Sequence, residues 1–264
     1  MSADVWVVRA GIVPYERARA VQRQLEAARQ VDAVPDVLLL LEHTPVYTRG
    51  RRTAAGELPM GVEWYEMQGI EVCDTDRGGR VTYHGPGQLV GYPIVSLQPY
   101  GNDIQAYVRR MERVMIEAIG DHGVAAATIE GLTGVWTAGT EPVPEGAGVE
   151  DVATDVAAGR IRKIGSIGVH VSRSVTTHGL AVNVSNDLQP FEWIVPCGID
   201  GCQMTSLSRE LGSRQELDAF AASIAGRFAE VYRRQPVEVA VSDLVRRVEG
   251  AAPLAEGEIA GALR

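Results

Sequence analysis

The chain has 264 residues, a formal net charge of −9, 45% hydrophobic residues and 22% charged residues. These values are typical of a globular protein with one large or two small domains, and the acidic charge disfavours a nucleic acid as main partner. The longest apolar run, residues 37–41, is far shorter than the ~18 residues of a membrane span. Three cysteines and an N-terminus without an export signal predict a reducing, cytoplasmic location.

The first half of the chain predicts alternating strands and helices. A strand over residues 4–9 precedes a helix that begins after Pro14, and a fully buried type of strand covers residues 37–42. The helix has apolar residues at helical spacing, namely Tyr15, Ala18, Val21, Leu25 and Ala28. Residues 70–73 form another strand, in which Cys73 is predicted as an inert buried thiol. The pattern favours a mixed α/β fold.

Three arginines in residues 48–52, namely Arg49, Arg51 and Arg52, follow the segment that contains His43. A solvated loop is one interpretation. The other is a docking site for an acidic protein surface, which Arg77 and Arg80 extend. His43 alone indicates a structural or surface histidine.

Residues 77–94, RGGRVTYHGPGQLVGYPI, are the most unusual stretch of the sequence. Gly78 and Gly79 lack a Cβ atom, which allows another group to lie close to the backbone. Residues 81–84 alternate like a strand, residues 85–87 form a tight turn, and residues 88–95 form a second, buried strand. We therefore predict a β-hairpin, which is either a solvated Gly-rich hairpin or a binding edge. Neither phosphate-loop spacing is present.

The middle of the chain predicts a helix and then an insertion. Asn102 or Asp103 caps a helix that ends at Gly120, with one apolar face made of Ile104, Val108, Met111, Met115 and Ile119. His122 follows without a predicted chemical role, and residues 133–137 form a strand. Residues 141–160 are rich in Pro, Gly, Asp and Glu, which predicts a flexible acidic surface insertion.

Lys163 is the only lysine beside 24 arginines. A guanidinium stays protonated, whereas an ammonium can lose its proton when it is desolvated, so a lone lysine suggests proton transfer. Lys163 begins a strand over residues 163–171 and shares one face with Gly165 and Ile167. A lysine that extends from the strand end to solvent is the alternative. Residues 177–183 form the next strand, whose small residues predict a narrow slot.

Cys197 lies between a proline and a glycine, which indicates an accessible thiol on a stiff loop. A packed, unreactive cysteine is the alternative. Cys197 and Cys202 alone do not make a zinc site, because a second pair of ligands at suitable spacing is missing from the sequence.

The string RGGxxTYHxxGQLxxY at residues 77–92 resembles the signature of the LipB octanoyltransferases, which act in lipoate biosynthesis, and residues 42–50 resemble the family's first sequence block. The resemblance runs from about residue 5 to residue 207. It implies a single catalytic domain with a central mixed β-sheet, like that of the biotin and lipoate protein ligases, which we place at residues 1–235. Residues 236–264, with a short helix at about 242–248, are predicted to be an appendage. A capping box at Ser213 and Glu216 is expected to open the last helix of the domain, with Leu217, Phe220, Ile224, Phe228 and Val231 facing inward.

The resemblance also implies the reaction. Cys197 and Lys163 are the catalytic residues it marks: the thiolate takes the octanoyl group from acyl carrier protein as a thioester, and a lysine of a lipoyl domain then accepts it. The acceptors are lipoyl domains of 2-oxoacid dehydrogenase E2 subunits and the glycine cleavage H protein, and no cofactor is expected. The implied acyl-binding wall comprises Arg77, Gly78, Gly79, Arg80, Val81, Thr82, Tyr83, His84, Ser166, Ile167, Gly168, Gly179, Leu180 and Ala181.

Several points stay open at the level of sequence. His84 or His178 is an alternative base for Cys197, and the oxyanion donors lie either near Gly198 or in the turn at residues 85–87. An ATP-dependent lipoate or biotin protein ligase is the main alternative function, although the chain lacks the longer glycine run of those enzymes. A non-catalytic protein that binds acyl groups or lipoyl domains is the other.

Overall fold

The computed structural model describes residues 4–144, 146–195 and 202–249, and within them the chain forms two β-sheets with helices packed on them. The larger sheet has eight strands in the spatial order β11 (Gln235–Glu238), β1 (Asp4–Val13), β2 (Asp36–His43), β6 (Gln88–Ile94), β10 (Val175–Asn183), β9 (Arg162–Ser172), β8 (Leu132–Thr137) and β7 (Ala126–Ile129). The smaller sheet has the order β4 (Glu71–Asp74), β3 (Val46–Arg49) and β5 (Thr82–His84). Both sheets are mixed, since β1 is parallel to β2 and β3 is parallel to β4.

Helices pack on both sheets. They are α1 (Tyr15–Gln30), α2 (Val62–Met67), α3 (Ile104–Asp121), α4 (Val149–Ala157), α5 (Gln189–Glu192), α6 (Leu207–Leu211), α7 (Leu217–Tyr232) and α8 (Val241–Glu249). Helices α1 and α8 pack on one face of the larger sheet and α3 and α7 on the other, whereas α2 and α5 pack on the smaller sheet. In the parts of the chain that the structure describes, none of the helices is both long and apolar enough to cross a bilayer. The predicted mixed α/β fold is confirmed.

Strand β2 shows why its sequence is apolar at successive positions. Leu38 and Leu40 pack with α3 and α7 on one face of the sheet, whereas Leu39 and Leu41 pack with α1 and α8 on the other. A strand that is buried on both faces needs no polar alternation. The predicted apolar face of α1 is also buried in full.

Helix α3 follows its predicted cap but not its predicted end. The Asp103 carboxylate accepts a hydrogen bond from the backbone N–H of Ala106 at 2.9 Å, which is the expected N-cap contact. The helix continues past Gly120 to Asp121, and the positive φ of +85° lies at Gly123 instead. Ile104 is 47% exposed and does not belong to the buried face.

The predicted hairpin at residues 81–95 is wrong. Strand β5 pairs with β3 in the smaller sheet, whereas β6 pairs with β2 and β10 in the larger one. The tight turn itself is present, because the N–H of Gln88 donates to the carbonyl of Gly85 at 3.1 Å and Gly87 has φ +86°. All residues of β6 are buried, so this strand needs a neighbour on each side and takes them from elsewhere in the chain.

The acidic segment at residues 141–160 also differs from its prediction as a flexible insertion. It contains α4, whose Val152 and Val156 pack with Trp136 and Ile161 in a separate hydrophobic cluster. The two valines are one helical turn apart, which is the spacing that brings them onto one face. The acidic residues of this helix are on its solvent side, since Glu150 and Asp151 are exposed and Asp155 is partly exposed.

The end of the described chain joins the main fold. Strand β11 pairs in parallel with β1, and Leu244, Val245 and Val248 of α8 are buried in the core beside α1. The structure therefore has no boundary at residue 235 within the residues it describes. The predicted capping box is wrong, because the N-cap of α7 is Glu216 and its side chain makes no capping hydrogen bond.

Candidate active site

A cavity of about 410 Å³ lies where the smaller sheet meets strands β9 and β10 of the larger sheet. Its walls are the loop before β5 with Thr82 and His84 of that strand, parts of β9 and β10, the turn before β8 with the start of that strand, two residues of β6, and single residues of α1 and α3. This volume is within the usual range for small-molecule sites. The cavity thus collects residues that are far apart in the sequence.

Most of the acyl wall predicted from the sequence lines this cavity. The lining residues are Arg77, Gly78, Gly79, Arg80, Val81, Thr82, His84, Ser166, Ile167, Gly168, Gly179, Leu180 and Ala181, together with Lys163. Tyr83 does not line it, because its ring packs against Tyr47 and Phe191 inside the smaller sheet's own core. The alternation predicted for these residues holds in β5, because Thr82 and His84 line the cavity and Tyr83 lies on the other face. Only the family resemblance assigns Tyr83 to the wall.

Other lining residues were not assigned to the acyl wall by sequence reasoning. They are Tyr15, Arg52, Val90, Tyr92, Val108, Gly131, Leu132, Thr133, Val169 and His178. The spacing of Tyr15 and Val108 places them on helix faces, as the structure has them, but gives no sign of a cavity beyond those faces. The sequence indicates His178 only as an alternative base.

Glycines at this site allow close backbone contacts. A Cβ atom at Gly168 would lie 2.9 Å from Cδ of Arg77 and 3.0 Å from the carbonyl oxygen of Gly78, and the N–H of Gly78 donates to the carbonyl of Val169 at 2.9 Å. A Cβ atom at Gly179 would lie 2.2 Å from a carbonyl oxygen of β6. Real Cβ atoms do not approach so closely. Glycine is therefore needed for the loop and strands to pack, and the slot is narrow as a result.

Arg77 anchors the loop before β5, residues 77–81, which we call the glycine loop. Its guanidinium is buried and donates to the carbonyl oxygen of Thr48 at 2.6 Å and to the Thr48 hydroxyl at 2.7 Å. Its Nη1 also donates to the carbonyl of Gly78 at 3.0 Å. These contacts tie the glycine loop to β3 of the smaller sheet.

A cluster of buried histidines and tyrosines forms one part of the cavity wall, with His43 behind the residues that line it. Burial lowers the pKa of His43 to about 4, and it lowers the pKa of His84 and of His178 below the ordinary histidine value. The Tyr92 hydroxyl lies 2.6 Å from Nε2 of His43, and Tyr15 stacks on His84. The three imidazoles are therefore neutral at neutral pH.

His178 has a polar partner at the edge of this cluster. Its Nε2 lies 2.9 Å from an oxygen of Asp76, and the hydrogen bond from His178 holds the pKa of Asp76 well below its usual range. Its Nδ1 lies 3.4 Å from the Tyr15 hydroxyl. His178 also has φ +56°, an uncommon conformation for a residue with a side chain. Both ring nitrogens have partners within the wall.

Lys163 lies at the other side of the cavity, with 4% of its surface exposed. Its Nζ donates to the carbonyl oxygen of Thr133 at 3.0 Å and lies 5.4 Å from the centre of the Trp136 ring. The lysine therefore does not extend to solvent from the strand end. Its backbone N–H donates to the carbonyl of Gln203 and its carbonyl accepts from the N–H of Thr205, both at 2.9 Å.

Cys197 lies outside the described residues, and so does Gly198. The chain before this segment is held at Val195, whose N–H donates to the carbonyl of Glu57 at 3.1 Å. The chain after it runs beside Lys163 through residues 203–205. The predicted catalytic role of Cys197 stays a prediction.

The other cysteines have the surroundings of ordinary packed thiols. Burial raises the pKa of the Cys73 thiol to about 12, and its Sγ donates to a carboxylate oxygen of Glu71 at 3.1 Å. Cys202 is partly buried between two hydrophobic clusters.

The turn at residues 85–87 does not line this cavity, and the N–H of Gly87 donates to the Glu42 carboxylate. Cys197 and Gly198 lie outside the described residues, so the two alternatives for the oxyanion donors stay predictions.

The arginine cluster is only partly available for docking. Arg49 forms a two-bond ion pair with Asp74, with contacts of 2.8 and 2.9 Å. Arg51 and Arg52 are exposed, and Arg52 lines the cavity. Arg80 contacts the buried Glu57.

Comparison with known proteins identifies what this arrangement resembles. The family model described as the lipoyl protein ligase A/B catalytic domain matches residues 14–229. An octanoyltransferase of Koribacter versatilis is 41% identical over 233 residues, which is 88% of this chain and 85% of the relative. An octanoyltransferase of Acidothermus cellulolyticus is 45% identical over 220 residues, which is 83% of this chain and 88% of the relative. A bipartite lipoate protein ligase of Thermoplasma acidophilum matches 95% of this chain and 91% of its own, with a TM-score of 0.63 and 14% identity, which supports the fold alone.

Proposed function

This chain belongs to the octanoyltransferase (LipB) family within the lipoyl protein ligase A/B group and is an acyltransferase, and from this premise we propose that it moves an octanoyl group from acyl carrier protein to a lysine of a lipoyl domain through a thioester on Cys197. The acceptors we propose are the lipoyl domains of 2-oxoacid dehydrogenase E2 subunits and the glycine cleavage H protein. The low cysteine count, three in 264 residues, supports the cytoplasm as the compartment.

The observation that carries the proposal is the position of Lys163. The only lysine of the sequence lies in the wall of the same cavity that the glycine loop, β9 and β10 enclose. A buried amine beside an acyl slot is suited to exchange a proton with reacting sulfur and nitrogen atoms. The chain that leads away from Cys197 is paired with the backbone of Lys163, which supports the pairing of the two residues in the reaction.

The first half-reaction forms the acyl-enzyme. The Cys197 thiolate attacks the thioester carbonyl of the donor, a new C–S bond to Cys197 forms, and the C–S bond to the donor's thiol breaks. The ammonium of Lys163 gives a proton to the departing thiolate and becomes an amine.

The second half-reaction forms the amide. The uncharged amine of the acceptor lysine attacks the acyl-enzyme thioester, a C–N bond forms, and the C–S bond to Cys197 breaks. Lys163 takes the proton that the nitrogen loses and returns to its ammonium form. Cys197 returns to the thiolate, so the enzyme is unchanged after one turnover.

The cavity wall suits a medium-length acyl chain. Val81, Val90, Ile167 and Leu180 contribute apolar surface, and each buried methylene adds about 0.8 kcal/mol to binding. Burial lowers the pKa of His84 and of His178, so the histidines that line the cavity are uncharged where they face the chain. The octanoyl length itself is proposed from the names of the relatives.

Mass spectrometry of the intact protein tests the proposal. After mixing with octanoyl-acyl carrier protein, we expect the mass of one octanoyl group to be added at Cys197, no addition in Cys197→Ser, and transfer of the group to an added lipoyl domain. An ATP-dependent ligase would instead form an acyl adenylate from free octanoate and ATP. A protein that only binds would retain the donor without any covalent change. Either result would refute the thioester mechanism.

A further inference from the structure

Behind Lys163 lies a buried carboxylate that the proposed reaction does not use. Glu112 of α3 is 8% exposed, and its Oε1 accepts a hydrogen bond from the backbone N–H of Gly134 at 3.1 Å. A buried acid is uncommon in a protein interior unless it is paired or hydrogen-bonded. Its presence on the apolar face of α3, between Met111 and Met115, therefore suggests a specific role.

The same peptide group that contacts Glu112 also contacts Lys163. The carbonyl of Thr133 and the N–H of Gly134 belong to one planar peptide, and in a trans peptide these two groups point in opposite directions. The N–H end donates to Glu112, and the carbonyl end accepts from Nζ of Lys163 at 3.0 Å. Hydrogen bonds in such a series polarise and strengthen one another.

The backbone conformation and close contacts at Gly134 require a residue without a Cβ atom. It has φ +110°, and a Cβ atom there would lie 2.5 Å from the carbonyl oxygen of Gly165 and 2.8 Å from Cε of Lys163. The pairing of β8 with β9 shifts register one residue further on, between Val135 and Trp136. The backbone thus departs from regular strand geometry where the lysine needs a carbonyl acceptor.

We propose that Glu112 is a positioning residue, which acts through the Thr133–Gly134 peptide to hold the Lys163 ammonium in the cavity wall and to compensate its charge. The catalytic use of Lys163 rests on the proposed function, but the contact between the two residues does not. The charged groups that act on this carboxylate among the described residues are Arg109, on the same helix, and Lys163. Trp136 of β8 covers Lys163. Arg162, the residue before Lys163, is paired with Glu210.

Glu112→Gln separates charge from hydrogen bonding. The amide oxygen of glutamine can still accept from the N–H of Gly134, so the backbone of β8 keeps its support, but the negative charge is lost. Burial raises the pKa of Glu112, and Lys163 opposes that shift, which is the electrostatic coupling that the substitution removes.

The lone lysine makes a direct measurement possible. In protein labelled with ¹³C-lysine, the Cε resonance of the single lysine side chain reports the protonation of Lys163 without any substrate. We expect the pH at which this resonance titrates to fall by about one unit in Glu112→Gln, because an anion near a cation favours the charged form. Glu117→Gln, a substitution one turn further along α3 where the carboxylate pairs with Arg113, is the matched control and should not move the titration.

An unchanged titration in Glu112→Gln would overturn the proposal, whatever the enzyme's substrate. If this variant does not fold, Glu112→Asp, whose shorter side chain withdraws the carboxylate from the N–H of Gly134, is compared with the wild type, and a smaller fall in the same direction is required. The kinetic consequence is separate: if the acyl-enzyme forms, we expect Glu112→Gln to lower kcat about tenfold or more and to leave KM for the donor unchanged. Failure of the wild type to form an acyl-enzyme would count against the thioester mechanism, while the NMR titration would still decide the role of Glu112.

Discussion

The buried histidines in and behind the cavity wall should make the protein less stable in mild acid. His43 is fully buried, with one ring nitrogen 2.7 Å from the carbonyl oxygen of Val13 and the other 2.6 Å from the Tyr92 hydroxyl. Burial lowers the pKa of His43 from 6.5 to about 4. The unfolded chain therefore binds a proton at a pH where the folded chain does not. The stability from His43 is fully present above pH 6.5 and is lost as the pH falls toward 4.

The size of the effect follows from the two pKa values of His43. At pH 5 the unfolded chain has this histidine almost fully protonated, whereas the folded chain has it mostly neutral. The free energy of unfolding should therefore fall by about 2 kcal/mol between pH 7.5 and pH 5 on account of this one residue. His84 and His178 change stability in the same direction, because burial lowers the pKa of each.

Buried acids act against this trend, so a variant is needed to isolate His43. Burial raises the pKa of Glu26 and of Glu112, and the stability linked to that shift is present at low pH and is lost as the pH rises. Urea denaturation of the wild type and of His43→Gln at pH 7.5 and pH 5 gives four free energies of unfolding. We expect the wild type to lose about 2 kcal/mol more than the variant between these pH values. Equal losses would show that His43 is not held neutral by burial.

Three further predictions concern other parts of the site. Gly179→Ala should lower the free energy of unfolding by more than about 3 kcal/mol in thermal or urea denaturation, since its Cβ atom would lie 2.2 Å from a β6 carbonyl oxygen. Arg51→Glu together with Arg52→Glu should raise KM for acyl carrier protein in steady-state assays, because both arginines are exposed beside the cavity and the carrier is acidic. Cys73→Ser should leave the transfer rate unchanged, and Cys73 should react slowly with iodoacetamide at pH 8, since burial raises its pKa to about 12.

Matched variants are available for the first two of these predictions. Gly120 lies inside α3 with open space where a Cβ atom would be, so Gly120→Ala should be neutral or stabilising by about 0.5–1 kcal/mol. Arg246 of α8 is exposed like Arg51, so Arg246→Glu should leave KM for the carrier unchanged. A neutral Gly179→Ala, or equal KM values for all arginine variants, would contradict the corresponding prediction.

The sequence predicted the walls of the cavity better than it predicted how they are held together. The motif at residues 77–84 and the strand that follows Lys163 line the cavity as expected, apart from Tyr83. Alternation through residues 81–84 places Tyr83 on the face opposite Thr82 and His84, and the structure agrees, since Thr82 and His84 line the cavity whereas Tyr83 packs in the core of the smaller sheet. The family resemblance alone assigns Tyr83 to the wall, because a motif carried over as a whole does not distinguish the two faces of a strand.

The pairing of strands that are distant in the sequence is the second feature that sequence reasoning did not predict. A tight turn between two extended segments predicts a hairpin, but Gly85 and Gly87 here turn the chain from one sheet into another. Nothing local distinguishes the two cases, because the choice depends on whether β2 and β10 offer a better pairing to β6. The contact between Glu112 and Gly134 could not be predicted from the sequence either, because helical spacing places Glu112 on α3 without showing which residue lies opposite it.

The structure also explains why position 163 has a lysine in a chain that uses arginine everywhere else. Its Nζ lies 3.2 Å from where a Cβ atom of Gly134 would be, and it lies against the Trp136 ring, so the space at the end of the side chain fits a compact ammonium. A guanidinium is planar, carries five N–H donors and does not release its proton at physiological pH. Thr133 offers one carbonyl acceptor there, and an ammonium is compact enough to use it while it has two further N–H donors. The size of the space and the chemistry of proton exchange therefore favour the same residue, and this agreement links the composition of the sequence to the proposed reaction.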